Sequence, residues 1–98
     1  MHTSILSRLA GAKLKAERVS KGYKRHEIAQ KLSKSDQQLF RYERGINKMD
    51  LDTLINYCHV LSIDIHDFFD SLLADTGHNK SSADRHETSV FANPLNAA

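Results

Sequence analysis

The sequence has no tryptophan, one proline and one cysteine among its 98 residues. A lone cysteine cannot close an internal disulfide, so nothing in the chain calls for an oxidising compartment. The proline, Pro94, stands close to the end and interrupts no earlier pattern. No apolar run approaches the roughly twenty residues that span a bilayer, and the opening Met1-His2-Thr3-Ser4 carries no signal-peptide core. A strand alternation, an internal repeat, a glycine-rich phosphate loop and a nucleophile–base pair are missing too. Cys58, His59 and His66 come nearest to a metal-ligand set. Cys58 belongs to an apolar stripe, however, and the two histidines fall on separate helices, so no metal site is expected. These absences leave an all-α chain, expected in the cytoplasm, with no enzyme chemistry, cofactor, membrane anchor or small-molecule ligand.

Acids are scarce in the first half and bases in the second. From Arg8 to Lys48 there are twelve Lys and Arg against four acids (Glu17, Glu27, Asp36, Glu43), a balance of +8. From Met49 to Thr76 there are six aspartates and no Lys or Arg, a balance of −6. A net charge of only +2 hides this division. A polyanion is drawn to the first half and repelled by the second, which orients the molecule as well as attracting it.

Five helices are expected. The first runs from near Ser4 to Lys21, with Leu6, Leu9, Ala10 and Leu14 as its stripe and Gly22 as its stop. Gly11 inside it is a weak point that could mark the helix's true start. The second, Arg25 to Leu32, has a seam of Ile28, Ala29 and Leu32. Only Ser33 and Lys34 separate it from the third, which Ser35 caps and Gly45 ends. Two helices joined by so tight a turn form a helix-turn-helix. On the third, Leu39, Tyr42 and Glu43 fall inward, whereas Asp36, Gln37, Phe40, Arg41 and Arg44 fall outward. A glutamine amide can pair with adenine and an arginine fork with guanine, so this outward face carries side chains suited to base edges. Arg18, one turn beyond Leu14, lies on the buried side and needs a carboxylate, and Glu43 is the expected partner.

Asp50 caps a fourth helix whose stripe reads Leu51, Leu54, Ile55, Cys58 and Leu61. Asp64 caps a fifth carrying Ile65, Phe68, Phe69, Leu72 and Leu73. The fifth is apolar on more than one side, a surplus that closes the core or, through Phe68, Phe69, Leu72 and Leu73, makes a symmetric dimer contact. Residues 1–75 thus form one domain. From about Thr76 the pattern stops, and 76–98 reads as a flexible tail, with a short partner-binding segment around Val90-Phe91 as its alternative.

Together these residues resemble the Cro/C1-type (xenobiotic-response-element, XRE) helix-turn-helix family of bacterial and phage regulators. The likeness runs from about Gly11 to Phe69. It rests on Leu14 and Arg18, Gly22, Ile28-Ala29 and Leu32, then Ser35, Leu39, Arg41, Glu43 and Gly45, then Leu51, Leu54 and Leu61-Ser62-Ile63-Asp64-Ile65 leading to Phe68-Phe69. The resemblance implies a five-helix, lambda-repressor-like domain acting as a homodimer on a palindromic double-stranded DNA operator. Base reading would fall on Asp36, Gln37 and Arg41, with Gln38 flanking and Phe40 beside them. Phosphate contacts would fall on Lys24, Arg25, Lys34, Arg44 and Lys48, and the family's structural ion pair on Arg18 and Glu43. Gln37-Gln38 with Arg41 to Gly45 further resembles the MrpJ-like regulators of fimbrial operons, over about one helix.

Departures from the family pattern are specific. The turn holds Ser33 and Lys34 in place of a glycine and an apolar residue, and serine takes a left-handed backbone less easily. Lys24 stands where Ser or Thr usually caps the second helix, and Met49 replaces a proline. Asp36 is repelled by DNA unless it accepts from a cytosine amine or holds Arg25 or Arg41 in place. Phe40 occupies a position that is generally small and polar. It either touches a thymine methyl or packs under a partner or a neighbouring loop. The rival to DNA binding is an antitoxin or anti-regulator that acts mainly through protein–protein contact.

Overall fold

The structure, a computed structural model, describes residues 4–77. Five helices follow in order: α1 Ile5–Ser20, α2 Arg25–Lys31, α3 Asp36–Arg44, α4 Leu51–Val60 and α5 Ile65–Asp75. No strand occurs among the described residues, so the fold is the expected all-α one. α1 packs on α3 and α5, α2 on α3 and α4, and α4 on α5. The core between them gathers Ala10 and Leu14 of α1, Ile28 and Ala29 of α2, and Leu39 and Tyr42 of α3. Tyr57, Cys58 and Leu61 join from the α4 segment, and Phe68 and Leu72 from α5. The expected tail lies outside the described residues apart from Thr76, which closes α5, and Gly77.

Four of the helix starts carry a side-chain cap. Ser4 accepts from the Ser7 amide, Ser35 from Gln38, Asp50 from Thr53, and Asp64 from both His66 and Asp67. α2 begins at Lys24, which cannot accept. There the Glu27 carboxylate reaches back to the Lys24 amide at 2.7 Å, supplying half of a capping box.

Four helix ends share one device. After α1, α2, α3 and α4 comes a residue in the left-handed region: Gly22 at φ 82°, Ser33 at 57°, Gly45 at 75° and Ser62 at 58°. The next amide then donates back to the fifth residue before it: Tyr23 to the Arg18 carbonyl, Lys34 to Ala29, Ile46 to Arg41 and Ile63 to Cys58. This six-to-one bond satisfies a carbonyl that the helix end would otherwise leave open. Serine at position 33 thus takes the conformation a glycine would.

α1 starts where expected, capped by Ser4, which closes the Gly11 alternative, and two further expectations are corrected. Gly11 does not start α1. It sits buried inside the helix, where a Cβ would come 2.3 Å from the Tyr42 carbonyl oxygen and 2.6 Å from that of Glu43. Glycine is there because two backbones nearly touch. On α4, Leu51 and Ile55 are exposed and the buried face is Thr53, Tyr57 and Cys58. The helix is turned so that the polar tips of Thr53 and Tyr57 find partners, which an apolar stripe cannot reveal. On α5, Phe68 and Leu72 lie in the chain's own core and only Phe69 and Leu73, of the four proposed contact residues, are exposed.

Candidate nucleic-acid interface

α3 is amphipathic in the narrow sense the sequence suggests. Its inner seam, Leu39, Tyr42 and Glu43, is buried, and its outer residues Asp36, Gln37, Phe40, Arg41 and Arg44 are exposed, with Gln38 half-buried. The side chains suited to base edges therefore face solvent.

α3 is held by a buried polar network as well as by its apolar seam. Arg18 of α1 donates through Nε to Glu43 Oε2 at 2.8 Å and through Nη2 to Oε1 at 3.0 Å, a bidentate pair. Its Nη1 donates to the Tyr23 carbonyl at 2.9 Å, which ties in the turn before α2. The Tyr57 hydroxyl of α4 donates to the same Glu43 Oε2. Three helices thus meet at one carboxylate, and Arg18 links it to the turn before α2. Both charges are nearly excluded from water, with Arg18 6% and Glu43 4% exposed. A pair this deep adds little net stability but fixes geometry, because either partner alone would be a stranded charge. The Glu43 hydrogen bond raises the Arg18 pKa still further, and burial pushes the Tyr57 phenol well above its ordinary range. Arg18 and Glu43 are where the sequence put them. Tyr57 was missed because a tyrosine outside the apolar stripe looks like a surface residue.

A second cluster lies on the outward face. Arg25 of α2 donates through Nε and Nη2 to the two carboxylate oxygens of Asp36, at 3.1 and 3.0 Å. That hydrogen bonding holds the Asp36 carboxyl below its ordinary range. The Arg25 guanidinium also lies over the Phe40 ring, 5.0 Å from its centre, and that of Arg44 lies 5.5 Å from the same centre. Of the two roles open to Asp36, holding an arginine is the one the structure displays.

The remaining expected phosphate contacts are spread around this face. Lys24 is exposed at the start of α2 and Lys48 in the loop after α3, while Lys34 is half-buried in the turn, its charge felt by Asp50. Cys58 is buried, as its place in the apolar stripe suggests, and desolvation pushes its thiol up to about 11. No described helix is long and apolar enough to cross a membrane.

Comparison with known proteins agrees with this fold. Two crystal structures of the clp gene regulator ClgR from Corynebacterium glutamicum are similar. One has a TM-score of 0.68 at 26% identity, covering 74% of this chain and 94% of that one. The other has a TM-score of 0.70 at 22% identity, covering 95% and 99%, a likeness of fold alone. A search of curated proteins returns no match. A helix-turn-helix family model matches residues 14–68, more than half the chain and all of α2 and α3. The chain therefore belongs to the helix-turn-helix family of the Cro/C1 (XRE) type, a family of DNA-binding transcription regulators.

Proposed function

We propose that the chain is a sequence-specific regulator of transcription that binds double-stranded DNA as a homodimer in the cytoplasm, each protomer laying α3 in the major groove. The observation that carries this is the pairing of an exposed Gln37 and Arg41 with an inner side fastened by Arg18, Glu43 and Tyr57. A reader must be both accessible and rigid, since a base-edge hydrogen bond tolerates little misplacement. Lys24 and Lys48 flank α3 and are suited to the sugar-phosphate backbone on either side. Exposed Phe69 and Leu73 on α5 are the remaining candidates for the dimer contact, which would set two half-sites about one helical turn apart. The aspartate-rich α4 and α5 would then face away from the duplex.

Selecting bound sites from a random duplex library tests the reading directly: a palindromic consensus is expected, and recovery of no preferred sequence would sink it. On the selected site, Arg41→Ala should relax base choice at one position and cost about 1–3 kcal/mol. Lys48→Ala should weaken all sequences alike and flatten the salt dependence. The protein-binding alternative, an antitoxin or anti-regulator, would instead give a stoichiometric protein complex and no retardation of any duplex. A link to fimbrial operons follows only if the selected consensus falls upstream of such genes.

A further inference from the structure

We infer that Asp36, Arg25, Phe40 and Arg44 form one preassembled clamp for a backbone phosphodiester, with Phe40 as its positioning residue and not a reader of bases; this rests on the DNA-binding reading above. Two guanidiniums within 5.0 and 5.5 Å of one ring centre would repel each other on an open surface. Two features offset that repulsion here. The electron-rich faces of an aromatic ring attract cations, and Asp36 neutralises one of the pair through two hydrogen bonds. The cluster keeps one unit of excess positive charge, which a single phosphodiester would balance.

Its donors are also pointed by construction. Arg25 uses Nε and Nη2 on Asp36, which leaves Nη1 for another acceptor. The Arg44 side chain makes no hydrogen bond or ion pair among the described residues. Its guanidinium is nonetheless located by the Phe40 ring one turn earlier on α3. An arginine ordered before contact loses less side-chain freedom on binding. The same arrangement explains how a carboxylate is tolerated on a surface meant for a polyanion. Asp36 is spent on Arg25, and the charge that DNA meets is that of the cluster. Phe40 is exposed, but its ring already engages two guanidiniums, and that contact is the role assigned to it here.

The test uses a neutral substitution to change an ionic quantity. Affinities for a selected duplex and for a random-sequence duplex are measured across a range of salt, for the unsubstituted chain and for Phe40→Ala, Phe40→Leu and Phe40→Trp. If Phe40 orders the clamp, Ala and Leu lower the slope of log affinity against log salt by about 0.9 for each phosphate that is no longer neutralised. They also weaken both duplexes about five- to tenfold alike, while Trp keeps the original values. Arg44→Gln should lower the slope similarly, and adding Phe40→Ala to it should lower it little further. Phe40 is 37% exposed, and a thermal melt verifies that each variant stays folded. An unchanged slope in Phe40→Ala and Phe40→Leu, or a loss confined to duplexes with thymine at one position, would overturn the clamp and leave the DNA-binding reading standing. Failure of the unsubstituted chain to bind either duplex at low salt would overturn both.

Discussion

The turn from α2 to α3 and the turn from α4 to α5 are built alike and used differently. Each runs Leu-Ser-X-cap: Leu32-Ser33-Lys34-Ser35 in one, Leu61-Ser62-Ile63-Asp64 in the other. The left-handed serines sit at φ 57° and 58°, and both turns make the same six-to-one hydrogen bond. Yet the first delivers a helix whose outward face is cationic and the second a helix bearing three aspartates. Support differs as well. α3 is anchored by a buried carboxylate reached from α1 and α4 and by direct backbone approach at Gly11. α5 rests on apolar packing of Phe68 and Leu72 and on one partly exposed ion pair, Lys13 with Asp75 at 2.7 Å. Turn geometry sets where a helix points; the chemistry beneath it decides how firmly it is held.

The largest expected effect comes from breaking the α3 anchor. Glu43→Ala strands the Arg18 charge and should cost about 3–5 kcal/mol, seen in chemical denaturation; a loss below 1 kcal/mol would mean that water reaches Arg18 after all. Gly11→Val drives a side chain into the backbone of α3 and should cost about 3 kcal/mol. Tyr57→Phe removes one donor from Glu43 and should cost about 1–2 kcal/mol at neutral pH.

That variant also sharpens the comparison through pH. Tyr57 and Cys58 both have folded pKa values raised above their unfolded ones, near 10 and 8.5, so their stabilising contribution is complete below those values. It is lost as pH rises toward the folded values. Thermal melts should therefore fall above about pH 9, and less steeply in Tyr57→Phe; identical alkaline profiles would mean that burial does not hold back ionisation of the Tyr57 phenol.

Smaller effects test the likeness of the turns themselves. Ser33→Gly and Ser62→Gly each relieve a left-handed non-glycine residue and should each stabilise the fold by about 0.5–1 kcal/mol. Unequal gains would show that the two turns are not strained alike. Least of all, Lys13→Ala on the α5 side should change stability by about 0.5 kcal/mol or less.

Much of this was legible in the sequence because it is local. Ser35, Asp50 and Asp64 announce helix starts, Gly22 and Gly45 announce ends, and the inward seam of α3 follows from its spacing. The Arg18–Glu43 pair could be expected because a buried charge demands a counter-charge. What escaped depends on neighbours distant in the chain. Gly11 looks like a flaw until the Tyr42 and Glu43 carbonyls are beside it. Tyr57 looks like a surface residue until Glu43 accepts its hydroxyl, and Leu51 and Ile55 look like core until that buried face is known. Nor does the spacing of α5 say which of its two apolar pairs, Phe68 with Leu72 or Phe69 with Leu73, turns inward.

The shortness of α2 and α3, seven and nine residues, carries one last consequence. Helices of that length are coils when cut free in water. α3 consequently cannot be transplanted as a free peptide; it is helical only within its scaffold. Any substitution that loosens α1, even one remote from every nucleotide, would register in a binding assay as a defect of recognition, so a scan of variants on this chain has to read melting and affinity side by side.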